Sequence, residues 1–175
     1  MRDVVASIES EYRRYKGLGE GVLRQIPDDR LSETPGPTSS SLATLVWHIS
    51  GNLRSRFTDF LTSDGEKPWR HRETEFEARD VPRVELVDKW EEGWSVLFEA
   101  LSPLQDSDLG RTVRIRGVEF RVHEALHRSL AHTAYHVGQM TYLGKMIRGD
   151  AWEYLSIPPG GSDAYNRNPT MERGS

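Results

Sequence analysis

The stretch SLAHTAYHVGQMTYLGK, residues 129–145, carries two histidines four residues apart inside a long helical pattern. Its apolar stripe runs Val122, Ala125, Leu126, Ser129, Thr133, Val137, Met140, Leu143, Gly144 and Ile147, and His132 and His136 fall within it. On an α-helix, residues four apart differ by about 40° in azimuth and about 6 Å in height, so two such imidazoles can converge on one ion. Imidazoles turned toward a core must be hydrogen-bonded or metal-bound, because each ring nitrogen needs a partner. Spacing alone leaves both readings open: half of a metal site, or a pair of satisfied core histidines.

Working outward, this helix spans residues 121–148 and ends at Gly149, with Lys145 and Arg148 in a last turn where the helix dipole favours cations. Three further segments have helical periodicity. Residues 3–25 place Val4, Val5, Ile8, Tyr12, Tyr15, Leu18 and Val22 on one stripe, with Gly17, Gly19 and Gly21 marking a bend or a close approach. Residues 41–61 follow TPGPTSSS, in which Ser39 or Ser40 is the expected cap. Residues 83–101 bury Leu86, Val87, Trp90, Trp94, Leu97, Phe98 and Leu101. The alternation in RTVRIRGVEFRV, around Gly117, predicts a β-hairpin over residues 109–122. Residues 63–82 form a long polar loop with too little periodicity for a packed element, the kind that is usually functional or partly ordered over the surface. Residues 151–175 read as an irregular tail whose final residues are expected to be disordered. The expected architecture is all-α: one domain over residues 1–175, a four-helix bundle with a small hairpin before the last helix.

Composition narrows the function. A net charge of -4, with both signs dispersed along 175 residues, argues against nucleic acid as the main partner. No apolar run approaches a membrane span, and the N-terminus lacks a signal-peptide core, so a soluble cytoplasmic protein is expected. Cysteine is absent, so a transition metal must be held by His, Asp or Glu, and a reactive thiol must arrive with a substrate.

A catalytic metal site in a bundle needs a third ligand from another helix. His48 is the only histidine on another predicted helix, yet by angular bookkeeping it lies about 120° from the centre of that helix's apolar stripe, beside Asn52. His123 and His127 face about 180° and 140° away from His132, and His71 sits in a charged surface loop. Gln139 and Asn52, each one turn beyond a candidate histidine, are candidate supporting groups. Glu124 reads as a solvated residue rather than a base, and Tyr12 and Tyr15 can reach the bundle interior from the first helix, with core packing the expected role of at least one of them. Arg54, Arg56, Arg70 and Arg72 form an anion-binding rim or, on the commoner pattern, charged surface.

HISGN (residues 48–52) together with HTAYHVGQ (residues 132–139) resembles the DinB/YfiT-like metalloenzyme superfamily. GNLRSRFTDFLTSDGEKPWRHRETEFE, RTVRIRG and LSIPPGGSDAYN are similar to a subgroup with no assigned activity, so the resemblance covers most of the chain. It implies a four-helix bundle, often homodimeric. It also implies His48, His132 and His136 as ligands of one divalent transition metal, zinc or nickel first, iron or manganese otherwise. The implied chemistry is thiol-dependent transfer or hydrolysis of a small-molecule substrate, with a low-molecular-weight thiol as cosubstrate; no catalytic acid or base is assigned. The tail departs from the pattern at Pro159, where a basic residue is expected, so an anion-binding role there is not carried over. The alternative is a non-catalytic metal- or small-molecule-binding bundle, stress-related or structural.

Overall fold

The computed structural model describes residues 1–170. Four long helices, α1 (Asp3–Gln25), α2 (Leu42–Phe57), α3 (Arg83–Leu101) and α4 (Val122–Arg148), form the bundle. Strands β1 (Thr112–Ile115) and β2 (Val118–Arg121) pair antiparallel immediately before α4, with Thr112 opposite Arg121 and Ile115 opposite Val118. A short helix, α5 (Ser162–Arg167), lies in the tail read as irregular. The expected terminal disorder concerns in part residues 171–175, which lie outside the described residues.

Helix α1 packs on α4 and α3, while α2 packs on α3 and α4, which puts α1 and α2 at opposite corners and likewise α3 and α4. The bundle is therefore not a simple up-down-up-down ring. The connections at residues 26–41 and 102–121 cross its diagonals, as their length permits. The core between the helices is aliphatic and aromatic, with Tyr12, Phe57, Trp90 and Trp94 buried at its centre. Tyr12 meets Phe57 and Trp94 edge-on, and its hydroxyl donates to the Leu126 carbonyl at 3.1 Å. That bond satisfies the polar end of a buried ring and fixes α1 against α4.

Local chemistry sets the ends. Helix α2 is capped by Ser41, not by Ser39 or Ser40: its Oγ accepts from the Thr44 N–H at 3.1 Å. The helix stops at Phe57 rather than Leu61, because Thr58 is extended and Asp59 takes a positive φ of 50°. Phe60 nevertheless remains buried beyond the helix end. At α4, the Glu124 carboxylate accepts from the Arg121 N–H at 2.6 Å, so this residue is a helix cap rather than a merely solvated side chain. Val4 and Val87, expected in the core, are exposed, and Phe98 is half-buried beneath the Arg13 guanidinium.

Two glycines let helices touch. A Cβ on Gly19 would lie 2.5 Å from the Trp90 ring, so the glycine-rich part of α1 marks close packing, and the helix runs through it unbroken. A Cβ on Gly93 would lie 2.6 Å from Ser50 Cα, where α3 packs directly on the α2 backbone. Backbone cannot yield there as a flexible side chain would. Gly93→Ala is therefore expected to lose about 1–2 kcal/mol of stability net of its better helix propensity. Urea unfolding tests this, and a midpoint at or above that of the parent protein would contradict the packing argument.

Among the described residues, no helix is long and apolar enough to cross a membrane.

A three-histidine cluster backed by a buried ion pair

His48 lies on α2, two residues before the Ser50 that Gly93 packs against, and is buried with 3% of its surface exposed. His132 and His136 lie on α4, half-buried at the edge of its stripe, while their neighbours Thr133 and Val137 are the residues that enter the core. The bundle brings all three rings together. His132 Nε2 is 3.2 Å from His48 Nε2 and 3.2 Å from His136 Nε2. One ligand atom from each of the three lies within 4.8 Å of the others.

Behind two of the rings, the second nitrogen is committed. His48 Nδ1 is 2.9 Å from Glu75 Oε2, and His136 Nδ1 is 2.7 Å from Gln139 Oε1. Carboxylate and amide oxygens accept only, so both Nδ1 atoms carry a proton, and in the neutral rings both Nε2 atoms present lone pairs. His132 Nε2 lies between those two lone pairs and can supply at most one proton. At least two lone pairs thus converge on a space holding no more than one hydrogen, an arrangement a cation satisfies. The spacing agrees: ligand nitrogens at about 2.0–2.1 Å from a tetrahedral ion lie about 3.3–3.4 Å apart.

Burial favours the neutral form of His132 and His136, the form that metal ligation requires. Burial, followed by the neighbouring His136, His48, Arg70 and Arg56, pushes His132 down to about 3. His136 is also lowered, by burial, with its Gln139 hydrogen bond opposing.

Glu75 comes from the loop that sequence periodicity left unpacked. A 3₁₀ turn at Arg72–Phe76 seats it beside α2, and its carboxylate takes two bonds from Arg70, at 2.7 and 2.8 Å. Burial alone would raise the Glu75 carboxyl, but the hydrogen bonds from Arg70 and His48 outweigh it and hold the group below the usual carboxylate range. Gly51 makes room, since a Cβ there would collide with the Glu75 carboxylate. Glu75 was not among the sequence candidates: in RETEFE it is one of three alternating glutamates, and only the small residue in HISGN hints at its seat. Arg70 likewise corrects the charged-surface reading, because its side chain is 2% exposed.

The remaining candidates sort clearly. Gln139 supports His136 as expected, and Asn52 lines a cavity of about 210 Å³ that also borders His48 and His132. Arg54 turns away to Glu92, at 2.9 Å. His123 and His127 are exposed and pair with each other at 6.1 Å between ring centres, with His123 Nδ1 3.0 Å from the Leu109 carbonyl. His71 is exposed.

Fold and site together make this a helical bundle with three imidazoles, two of them held by hydrogen-bond acceptors, that could hold a metal ion. The particular family follows from the sequence match. The chain belongs to the family described as protein of unknown function (DUF1572), whose model matches residues 1–161. No curated protein matches the chain.

Proposed function

We propose that this chain is a DinB/YfiT-like metalloprotein in which His48, His132 and His136 hold one divalent transition metal, and that it is an enzyme of thiol-dependent transferase or hydrolase type. The observation that carries this reading is the convergence of three Nε2 atoms with at most one proton to share between the flanking lone pairs. A divalent ion on three neutral imidazoles supplies Lewis acidity toward a bound water or thiol. The protein's own groups orient the donors: Glu75 aligns His48, and Gln139 aligns His136. The adjoining cavity favours an enzyme over a closed, purely structural site, because it gives a small molecule access to His48 and His132. With no cysteine in the chain, a thiol nucleophile would be a cosubstrate.

Zinc and nickel suit three imidazoles first, and iron and manganese are the alternatives. The test is metal content by inductively coupled plasma mass spectrometry on untagged protein prepared without added metal or chelator, beside the His48→Ala/His132→Ala/His136→Ala variant. About one equivalent of a transition metal, lost in the variant, is expected. No uptake even after reconstitution would sink the metal reading and leave a bundle whose histidines only bond to one another.

A further inference from the structure

The cavity beside the histidines is walled by arginine. Arg56 and Arg70 come from α2 and the loop that follows it, Arg72 from the 3₁₀ turn, Arg114 and Arg116 from the hairpin, and Arg128 from α4. Among the described residues no carboxylate lines it. The six guanidiniums share four carboxylates. Arg70 is committed to Glu75, while Arg56 and Arg116 both lean on Glu66, at 3.3 and 2.9 Å. Arg114 and Arg72 pair with the exposed Glu119 and Glu73. Arg128 has no carboxylate partner among the described residues and lies over the Phe120 ring at 5.9 Å. The wall thus carries uncompensated positive charge before any metal is added.

The hairpin turn gives a second, independent sign. Arg116 has a φ of 55° and Gly117 of 74°, a two-residue turn for which Asn or Gly is the low-cost first residue. An arginine is held there instead. Asp64 clamps it, its carboxylate accepting from the Arg116 and Gly117 N–H groups at 2.7 Å each. Strain retained at a cavity wall is the pattern of a binding residue. The lining also has an apolar part, formed by Phe57, Phe60, Val113 and Ile115. A volume of about 210 Å³ equals the space of about seven water molecules, so the occupant is compact.

We infer that the cavity binds a small organic oxyanion, a carboxylate or phosphate monoester, with its charged head on Arg56, Arg116 and Arg128 and its apolar body against the phenylalanines. This names the substrate class of the proposed enzyme and rests on that reading for the reaction, but not for binding, since the arginines bind without the metal. Guanidinium forks match both head groups geometrically, and the choice between the two lies with experiment.

Isothermal titration calorimetry with benzoate, phenyl phosphate and neutral benzamide provides the test, run on metal-loaded protein and on His132→Ala protein. The better anion is expected to bind at least tenfold tighter than benzamide, and whether benzoate or phenyl phosphate wins identifies the head group. In Arg116→Gln/Arg128→Gln protein the preference is expected to fall at least tenfold. Arg128→Gln alone removes an exposed, unpaired side chain and keeps the test valid if the double variant unfolds, while Arg14→Gln on α1 serves as the charge control. Anion preference retained in protein that takes up no metal supports this inference even if the metal reading fails. Metal binding without anion preference, or anion binding indifferent to the arginine substitutions, overturns it.

Discussion

Glu75→Ala is expected to destabilise the protein by about 3–5 kcal/mol, because it strands the Arg70 guanidinium in a site where 2% of that side chain is exposed. The same change is expected to lower metal affinity about 10–100-fold, since His48 loses the acceptor that fixes its proton on Nδ1 and its ring toward His132. The two effects separate in Arg70→Met/Glu75→Leu protein. Replacing a buried ion pair by apolar groups of similar volume is often neutral or stabilising, so unfolding in urea should recover most of the lost stability. Metal affinity should stay low, because leucine accepts no hydrogen bond. If that double variant binds metal like the parent protein, Glu75 does not act through His48.

His132→Ala has the opposite pattern. Its Nε2 is the one within 3.2 Å of both others, so removing it should cost more than losing a supporting partner does, at least 100-fold in metal affinity. Added metal at a hundred times its dissociation constant should stabilise the parent by about 2.7 kcal/mol and leave the variant unmoved. Without metal, the variant should tolerate acid better. In the folded parent His132 titrates near 3, whereas in the unfolded chain it titrates near 6.5, so between those values the unfolded chain holds more protons. Stability of the metal-stripped parent therefore falls as pH drops from 6.5 toward 3, and His132→Ala removes that contribution. Equal acid slopes in the two metal-stripped proteins would show that His132 is not desolvated by the cluster.

Both expectations turn on a partner that lies far along the chain or in a segment without a regular pattern. The four helices, the hairpin and the shared face of His132 and His136 could be read directly from the chain, because apolar periodicity and turn residues are local properties, but packing set the two histidines at the edge of the stripe rather than within it. The sequence also separated His123 and His127 from that pair, since azimuth on one helix follows from residue number. His48 was reached only by elimination and by family resemblance, as its place on the flank of α2's stripe gave it no local claim to the site. What buries it is the loop's 3₁₀ turn, closing over that flank. That Arg70 and Glu75 are internal emerges only from the packed loop. Buried charges leave no mark in a hydrophobic pattern, because opposite charges and hydrogen bonds replace apolar contact as the condition for burial. The arginine wall was legible only in part: Arg56, Arg70 and Arg72 fall within the rim that the sequence offered, Arg54 of that rim turns away to Glu92, and Arg114, Arg116 and Arg128 join the others only once packing across the bundle sets them around one cavity.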